Sequence, residues 1–261
     1  MWALPPSGRA FRWIAKSEAR QWYPNPLTRE AGGCYSGLRA DGDRATIRPV
    51  LTYDPEAAVA HLRKADPTLA RIIEAVGPLT LEPRDGAFRS LARAIFFQQL
   101  AGPAARAIMG RVLAALGSDE GRFFTPQQLL AASDDELRAA GLSRQKLAYL
   151  RDLSAKFAGG QLSEGEFAAE EDEEVIRKVT LVKGIGRWTA EMFLIFSLGR
   201  PDVLPVDDLG VRRGFQQTYG LDDLPKPEEM RSIAAPWRPY RSAGTWYMWR
   251  SLGVALPEEG R

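Results

Sequence analysis

Apolar positions along the chain fall into two regimes. From Asp54 onward they recur every three to four residues, the spacing that lines one face of an α-helix. That pattern predicts helices over 55–65, 67–76, 88–98, 102–116, 126–131, 134–140, 144–158, 172–181, 187–198, 207–218, 227–235 and 238–252. Before Asp54, the stretches R-A-F-R-W-I-A, G-C-Y-S-G-L and A-T-I-R-P-V-L-T-Y are short β-like runs separated by P-N-P, G-G and A-D-G-D turn signals. The expectation is a mainly α protein: a small N-terminal antiparallel β segment over 1–53, then a helical domain over 54–261. Gly159-Gly160 and the acidic run 169–174 mark a passage within the helical part, and the acidic run reads as a solvated helix start.

The densest chemistry lies in residues 181–208, LVKGIGRWTAEMFLIFSLGRPDVLPVDD. Val175, Ile176, Val179 and Leu181 keep helical spacing, so the helix over 172–181 ends just before Gly184. Asp172, Glu173 and Glu174 occupy its first turn, where anions suit the positive end of the dipole. Gly184 and Gly186 are expected to supply the unusual dihedrals of a very short helix–helix turn. The next helix starts at Arg187, and its first N–H groups have no intrahelical acceptor. They can receive a phosphate oxygen, with Lys183 and Arg187 adding positive charge on either side. Such a contact holds a duplex without reading its sequence.

Asp207 and Asp208 follow Pro205 and precede L-G-V-R-R-G-F, which begins another helix. One carboxylate should cap that helix by accepting a backbone N–H; the other is then free to face a cleft. Aromatics crowd the same end: Trp188, Trp237, Trp246 and Trp249, with Tyr240 and Tyr247. Aromatics at helical spacing usually build a core, and Trp237, Trp246 and Tyr240 are read that way. Trp188 and Met192, one turn apart, share a helix face. An indole face attracts a cationic base by roughly 0.5–2 kcal/mol.

L-V-K-G-I-G-R-W-T-A at 181–190 and D-V-L-P-V-D-D-L-G-V-R-R-G at 202–214 resemble the helix-hairpin-helix (HhH-GPD) DNA glycosylase superfamily, in particular its alkylation-repair branch, the 3-methyladenine DNA glycosylase II type. R-A-I-F-F-Q-Q-L at 93–100 and G-L-S-R-Q-K at 141–146 extend the likeness, which covers about 54–255. The resemblance implies a two-lobed helical fold with a cleft between the lobes, and removal of damaged bases from double-stranded DNA. It makes the second aspartate, Asp208, the catalytic one and leaves Asp207, beside the substrate, the structural role. It places Trp188 and Trp249 in the base pocket together with Met192, where some relatives carry tyrosine. It puts Gln99, or its neighbour Leu100, at the wedge that fills the stack when a nucleotide is extruded. DNA contacts fall on Lys183, Gly184, Gly186, Arg187 and Thr189. Relatives also bind a monovalent cation, Na+ or K+, through hairpin carbonyls, here those of Thr180, Val182 and Ile185. Strand-nicking relatives carry a Schiff-base lysine where Trp188 stands, which implies a monofunctional enzyme.

Cleaving a base from deoxyribose passes through an oxocarbenium-like sugar. A carboxylate beside the anomeric carbon stabilises that charge and can orient or deprotonate water. Alkylated purines already carry positive charge, so the leaving group needs little protonation. This fits a chain whose single histidine, His61, lies in an early helix and reads as a surface residue.

The net charge of +2 is too small for a globally basic surface, so DNA affinity must be local, on Lys183, Arg187, Arg212 and Arg213. One cysteine, Cys34, excludes an internal disulfide and a four-cysteine iron–sulfur cluster. It also fits a reducing cytoplasm. No apolar run reaches membrane length and residues 1–20 lack a signal-peptide core. The expectation is a monomeric cytoplasmic hydrolase with no required cofactor. Two other readings stay open: a glycosylase for deaminated or oxidised bases, and a DNA-binding protein without catalysis.

Overall fold

A computed structural model describes residues 51–83 and 86–253. The expected N-terminal β runs lie outside the described residues except for the end of the last one. There Thr52 and Tyr53 form a bend, and the Thr52 N–H and hydroxyl both donate to the Gly199 carbonyl (3.1 and 2.9 Å). Among the described residues there is no strand.

The described chain is helical: α1 Pro55–Ala65, α2 Pro67–Val76, α3 Ala87–Phe97, α4 Gly102–Ala115, α5 Pro126–Ala131, α6 Asp134–Ala139, α7 Arg144–Ala158, α8 Glu164–Ala169, α9 Asp172–Val179, α10 Arg187–Phe196, α11 Leu209–Tyr219, α12 Pro227–Ile233 and α13 Arg241–Ser251. A 3-10 turn over Ala235–Trp237 precedes α13. Local chemistry sets the boundaries. Asp54 and Asp66 cap helices that begin with proline, and Thr125 and Ser133 form reciprocal capping boxes with Gln128 and Glu136. The short helix α8 was not expected. Its sequence E-G-E-F-A-A has one buried apolar side chain, Phe167, too little to show a period.

Two groups of helices pack on one continuous apolar core. The first consists of α1, α2, α11 and α13; the second has α3 packed on α4, α7 and α10, with α5 and α6 on α7 and α9 on α10. Trp237 and Trp246 are fully buried, as expected, and Tyr240 sits half-buried against Tyr53 and His61. Asp66 is the polar joint of the first group. Its carboxylate caps α2 and accepts from Tyr219 Oη (2.5 Å) and Trp237 Nε1 (2.9 Å). Burial and that carboxylate push the Tyr219 hydroxyl well above the usual phenol range.

Candidate active site

The segment joining α10 to α11 is clamped before it delivers its aspartates. Arg241, first residue of α13, donates to both carboxylate oxygens of Asp202 (2.6 and 2.9 Å) and to its carbonyl (3.0 Å). Val203 N–H donates to Ser242 Oγ, and Thr245 Oγ1 donates back to the Val203 carbonyl. The first turn of α13 therefore fixes the loop that ends at Asp208.

Asp208 is buried, 5% exposed, and its carboxylate receives three N–H donors. Oδ1 accepts from Val211 N–H (2.7 Å) and from Trp249 Nε1 (2.9 Å); Oδ2 accepts from Trp188 Nε1 (2.7 Å). Here the structure corrects the division of roles between the two aspartates. Asp208, not Asp207, caps α11, and Asp207 is exposed with no capping bond. The cap and the expected catalytic carboxylate are one side chain. A buried carboxylate tolerates this because each oxygen has two lone pairs, and one on Oδ2 is left over.

Two glycines make the approach of Trp249 possible. A Cβ on Gly210 would lie 3.0 Å from both Asp208 Oδ1 and Trp249 Cδ1, and one on Gly214 would lie 2.2 Å from the Met248 carbonyl. Without them α11 and α13 could not sit close enough to hold the indole on Asp208. Trp249 also stacks on Phe196 of α10, with ring centroids 5.5 Å apart. Trp188 and Trp249 are both half-buried. Met192 is 1% exposed, so in this conformation it offers no surface to a ligand despite its place one turn after Trp188.

The glycine hairpin opens α10, directly before Arg187 and Trp188. Gly184 has φ +81, and a Cβ there would strike the Tyr149 ring at 2.2 Å, so this position needs glycine twice over. Gly186 differs from expectation. Its φ is −98 and ψ 175, ordinary extended backbone, and a Cβ there would meet nothing within 4 Å. The fold therefore does not require glycine there. No side chain caps α10, which leaves the N–H groups of Arg187, Trp188 and Thr189 without intrahelical acceptors. The Thr189 side chain itself is buried.

Neighbouring helices position the hairpin. Asp152 of α7 accepts the Lys183 N–H (2.9 Å), and Gln98 Nε2 donates to the Gly184 carbonyl (2.8 Å). Gln98 is thus a brace. Gln99 is exposed, with φ 57, the left-handed region a side chain rarely adopts, and Leu100 packs half-buried against the core. Lys146 Nζ donates to the Phe96 carbonyl at the end of α3 (2.6 Å), and burial lowers its ammonium to about 8.

Two of the cations expected to meet DNA already have partners in the protein. Lys183 is exposed. Arg187 is ion-paired with Glu173 and Glu191, and Arg212 Nε donates to the Pro225 carbonyl (3.1 Å). The acidic run is correspondingly not just a solvated start. Glu170 pairs with Lys178, Asp172 with Arg200 and Glu173 with Arg187. Glu191 was not anticipated at all. A lone carboxylate inside the apolar run A-E-M-F-L-I-F was the signal available, and it is 6% exposed.

Comparison with known proteins agrees with this geometry. Residues 92–239 match the family described as HhH-GPD superfamily base excision DNA repair protein. DNA-3-methyladenine glycosylase 1 of Schizosaccharomyces pombe is 34% identical over 202 residues, which span 76% of this chain and 88% of that protein. Among solved structures, the S. pombe enzyme Mag1 in complex with abasic DNA aligns with a TM-score of 0.66 and 33% identity, over 78% of this chain and 100% of the other. A DNA-3-methyladenine glycosidase from Bacillus halodurans aligns at 0.70 and 37%, over 79% and 93%. With a braced glycine hairpin, a buried aspartate one helix away and a family match across both, this chain belongs to the HhH-GPD superfamily of base excision DNA repair proteins.

Proposed function

We propose that the protein is a DNA glycosylase that hydrolyses the N-glycosidic bond of alkylated purines of the 3-methyladenine and 7-methylguanine type. The observation that carries this is the Asp208 carboxylate, buried between two indoles at the foot of the helix that the hairpin opens. In this reading the uncapped start of α10 and Lys183 hold a phosphate, and Gln99 fills the stack after the damaged nucleotide leaves it. The remaining lone pair of Asp208 Oδ2 faces the sugar C1′ and stabilises the oxocarbenium charge, while water attacks C1′ as its bond to the base breaks. The half-buried faces of Trp188 and Trp249 favour a cationic base. They also supply the two indole N–H bonds that keep the carboxylate aimed.

With Trp188 at the position of the Schiff-base lysine, the reaction ends at an abasic site. Borohydride trapping of a covalent protein–DNA adduct would contradict that. The carbonyls of Thr180, Val182 and Ile185 are donors suited to a hard monovalent cation rather than a transition metal. The Val182 carbonyl accepts the Ile185 N–H at 3.1 Å. An ion there would join backbone to phosphate and take no part in bond cleavage.

The test is chromatography of free bases after incubation with methylated DNA. Release of 3-methyladenine or 7-methylguanine is expected. Release only from uracil, hypoxanthine or 8-oxoguanine substrates would move the protein to another lesion class, and binding without release would make it a non-catalytic DNA-binding protein.

A further inference from the structure

The first residue of α10 is a cation whose charge is already committed. Arg187 donates to the two oxygens of Glu173 (3.0 and 2.5 Å) and, through Nε, to Glu191 one turn on (3.2 Å). The two carboxylates are not equivalent. The Glu173 side chain is 72% exposed and that of Glu191 7%. An exposed ion pair is weak and readily exchanged, but a buried carboxylate that loses its cation must neutralise itself. Three charged groups face Glu191: Arg187 from its own helix, Glu173 from α9 and Asp207 from the turn before α11. Only Arg187 favours the ionised form, and burial already pushes the carboxyl up to about 7.

We propose that Glu173, Arg187 and Glu191 form a proton-coupled phosphate site, in which a DNA phosphate at the start of α10 draws Arg187 away from both carboxylates and Glu191 takes up a proton. The inference rests on reading the hairpin as a phosphate site. The proton comes from the buffer acid and converts the Glu191 carboxylate to a neutral carboxylic acid. No covalent bond to DNA forms, and release of DNA returns Arg187 to its partners and the proton to solvent. A phosphate brought close to Glu191 acts in the same direction, since like charge disfavours ionisation. DNA binding and protonation are therefore linked, and each promotes the other.

The experiment uses the full chain and a fluorescent duplex carrying a tetrahydrofuran abasic analogue, with affinity read by anisotropy from pH 6.5 to 8.5 at constant ionic strength. Wild type is expected to bind about five- to twenty-fold more weakly at the upper pH, as uptake of most of one proton requires. Glu191→Gln should lose that slope and bind at pH 8.5 about as tightly as wild type does at pH 6.5. Titration calorimetry at pH 7.5 in phosphate and in Tris should show heats that differ by the buffers' ionisation enthalpies for wild type, and equal heats for Glu191→Gln. Should that variant fold poorly, Glu173→Gln keeps the idea testable, because it should tighten binding several-fold while retaining the slope. An unchanged slope in Glu191→Gln, buffer-independent heats in wild type, or unaltered affinity in Glu173→Gln would each overturn the inference. Failure of the underlying reading looks different: Lys183→Ala and Arg187→Ala would then bind like wild type.

Discussion

Asp208 accepts bonds from a backbone N–H and two indoles, and hydrogen bonds to a charged acceptor contribute about 1.5–3 kcal/mol each. Replacing Trp249 by phenylalanine removes one donor and keeps much of the stack on Phe196. The carboxylate then loses one of its orienting bonds. We expect the rate of base release to fall about ten- to a hundred-fold, more than binding of abasic DNA, as single-turnover kinetics and anisotropy would show. A rate near wild type would remove Trp249 from the positioning role. At Glu191 the prediction concerns stability. Its carboxyl lies near 7 in the fold against an ordinary 4.5, so the folded state binds more protons between those values. Stability therefore falls as pH rises from 4.5 to 7, and the cost of burying the charge is complete above 7. Glu191→Gln should unfold at higher denaturant than wild type at pH 8, by about 1–3 kcal/mol, with no such gain at pH 5. Equal shifts at both pH values would contradict the assignment.

Elements built on strong periods and caps were readable from the chain, and elements defined by contact were not. The helices from Pro55 to Val76 and from Arg144 to Ala158 fall within a residue of their expected ends because proline, aspartate or serine marks each start. The hairpin was recognisable from G-I-G, yet its two glycines do different work, and nothing local distinguishes them. Tyr149, distant in sequence, closes the space at Gly184, while the space at Gly186 stays open. Likewise the capping role falls to Asp208 and not to Asp207 because Asp208 Oδ1 accepts the Val211 N–H, and Arg187 looked available because its partner Glu173 sits on the preceding helix. The two glycines yield a paired prediction. Gly184→Ala should destabilise the protein by more than about 1 kcal/mol from the positive φ alone, read as a lowered unfolding midpoint. Gly186→Ala should unfold like wild type but bind duplex DNA about ten-fold more weakly, because its methyl group stands where a phosphate approaches. Wild-type DNA affinity in Gly186→Ala would contradict that use of the hairpin.

At the scale of the molecule, a net charge of +2 leaves DNA binding to a few local contacts. The site stands where two packed groups of helices meet: α10 belongs to one, and α11 and α13 to the other. Trp188–Asp208 and Phe196–Trp249 are among the contacts that join them. The helix whose uncapped start is proposed to hold a phosphate also carries the Trp188 indole that holds the Asp208 carboxylate, which would put grip and chemistry on one element. No helix among the described residues is long and apolar enough to cross a membrane.

The most direct measurement is single-turnover release of 7-methylguanine from a methylated duplex by wild type and by Asp208→Asn, with binding to abasic-analogue DNA measured in parallel. The account predicts release by wild type, a loss of at least about a thousand-fold in the folded variant, and binding reduced far less than rate. Release by Asp208→Asn within ten-fold of wild type would contradict it.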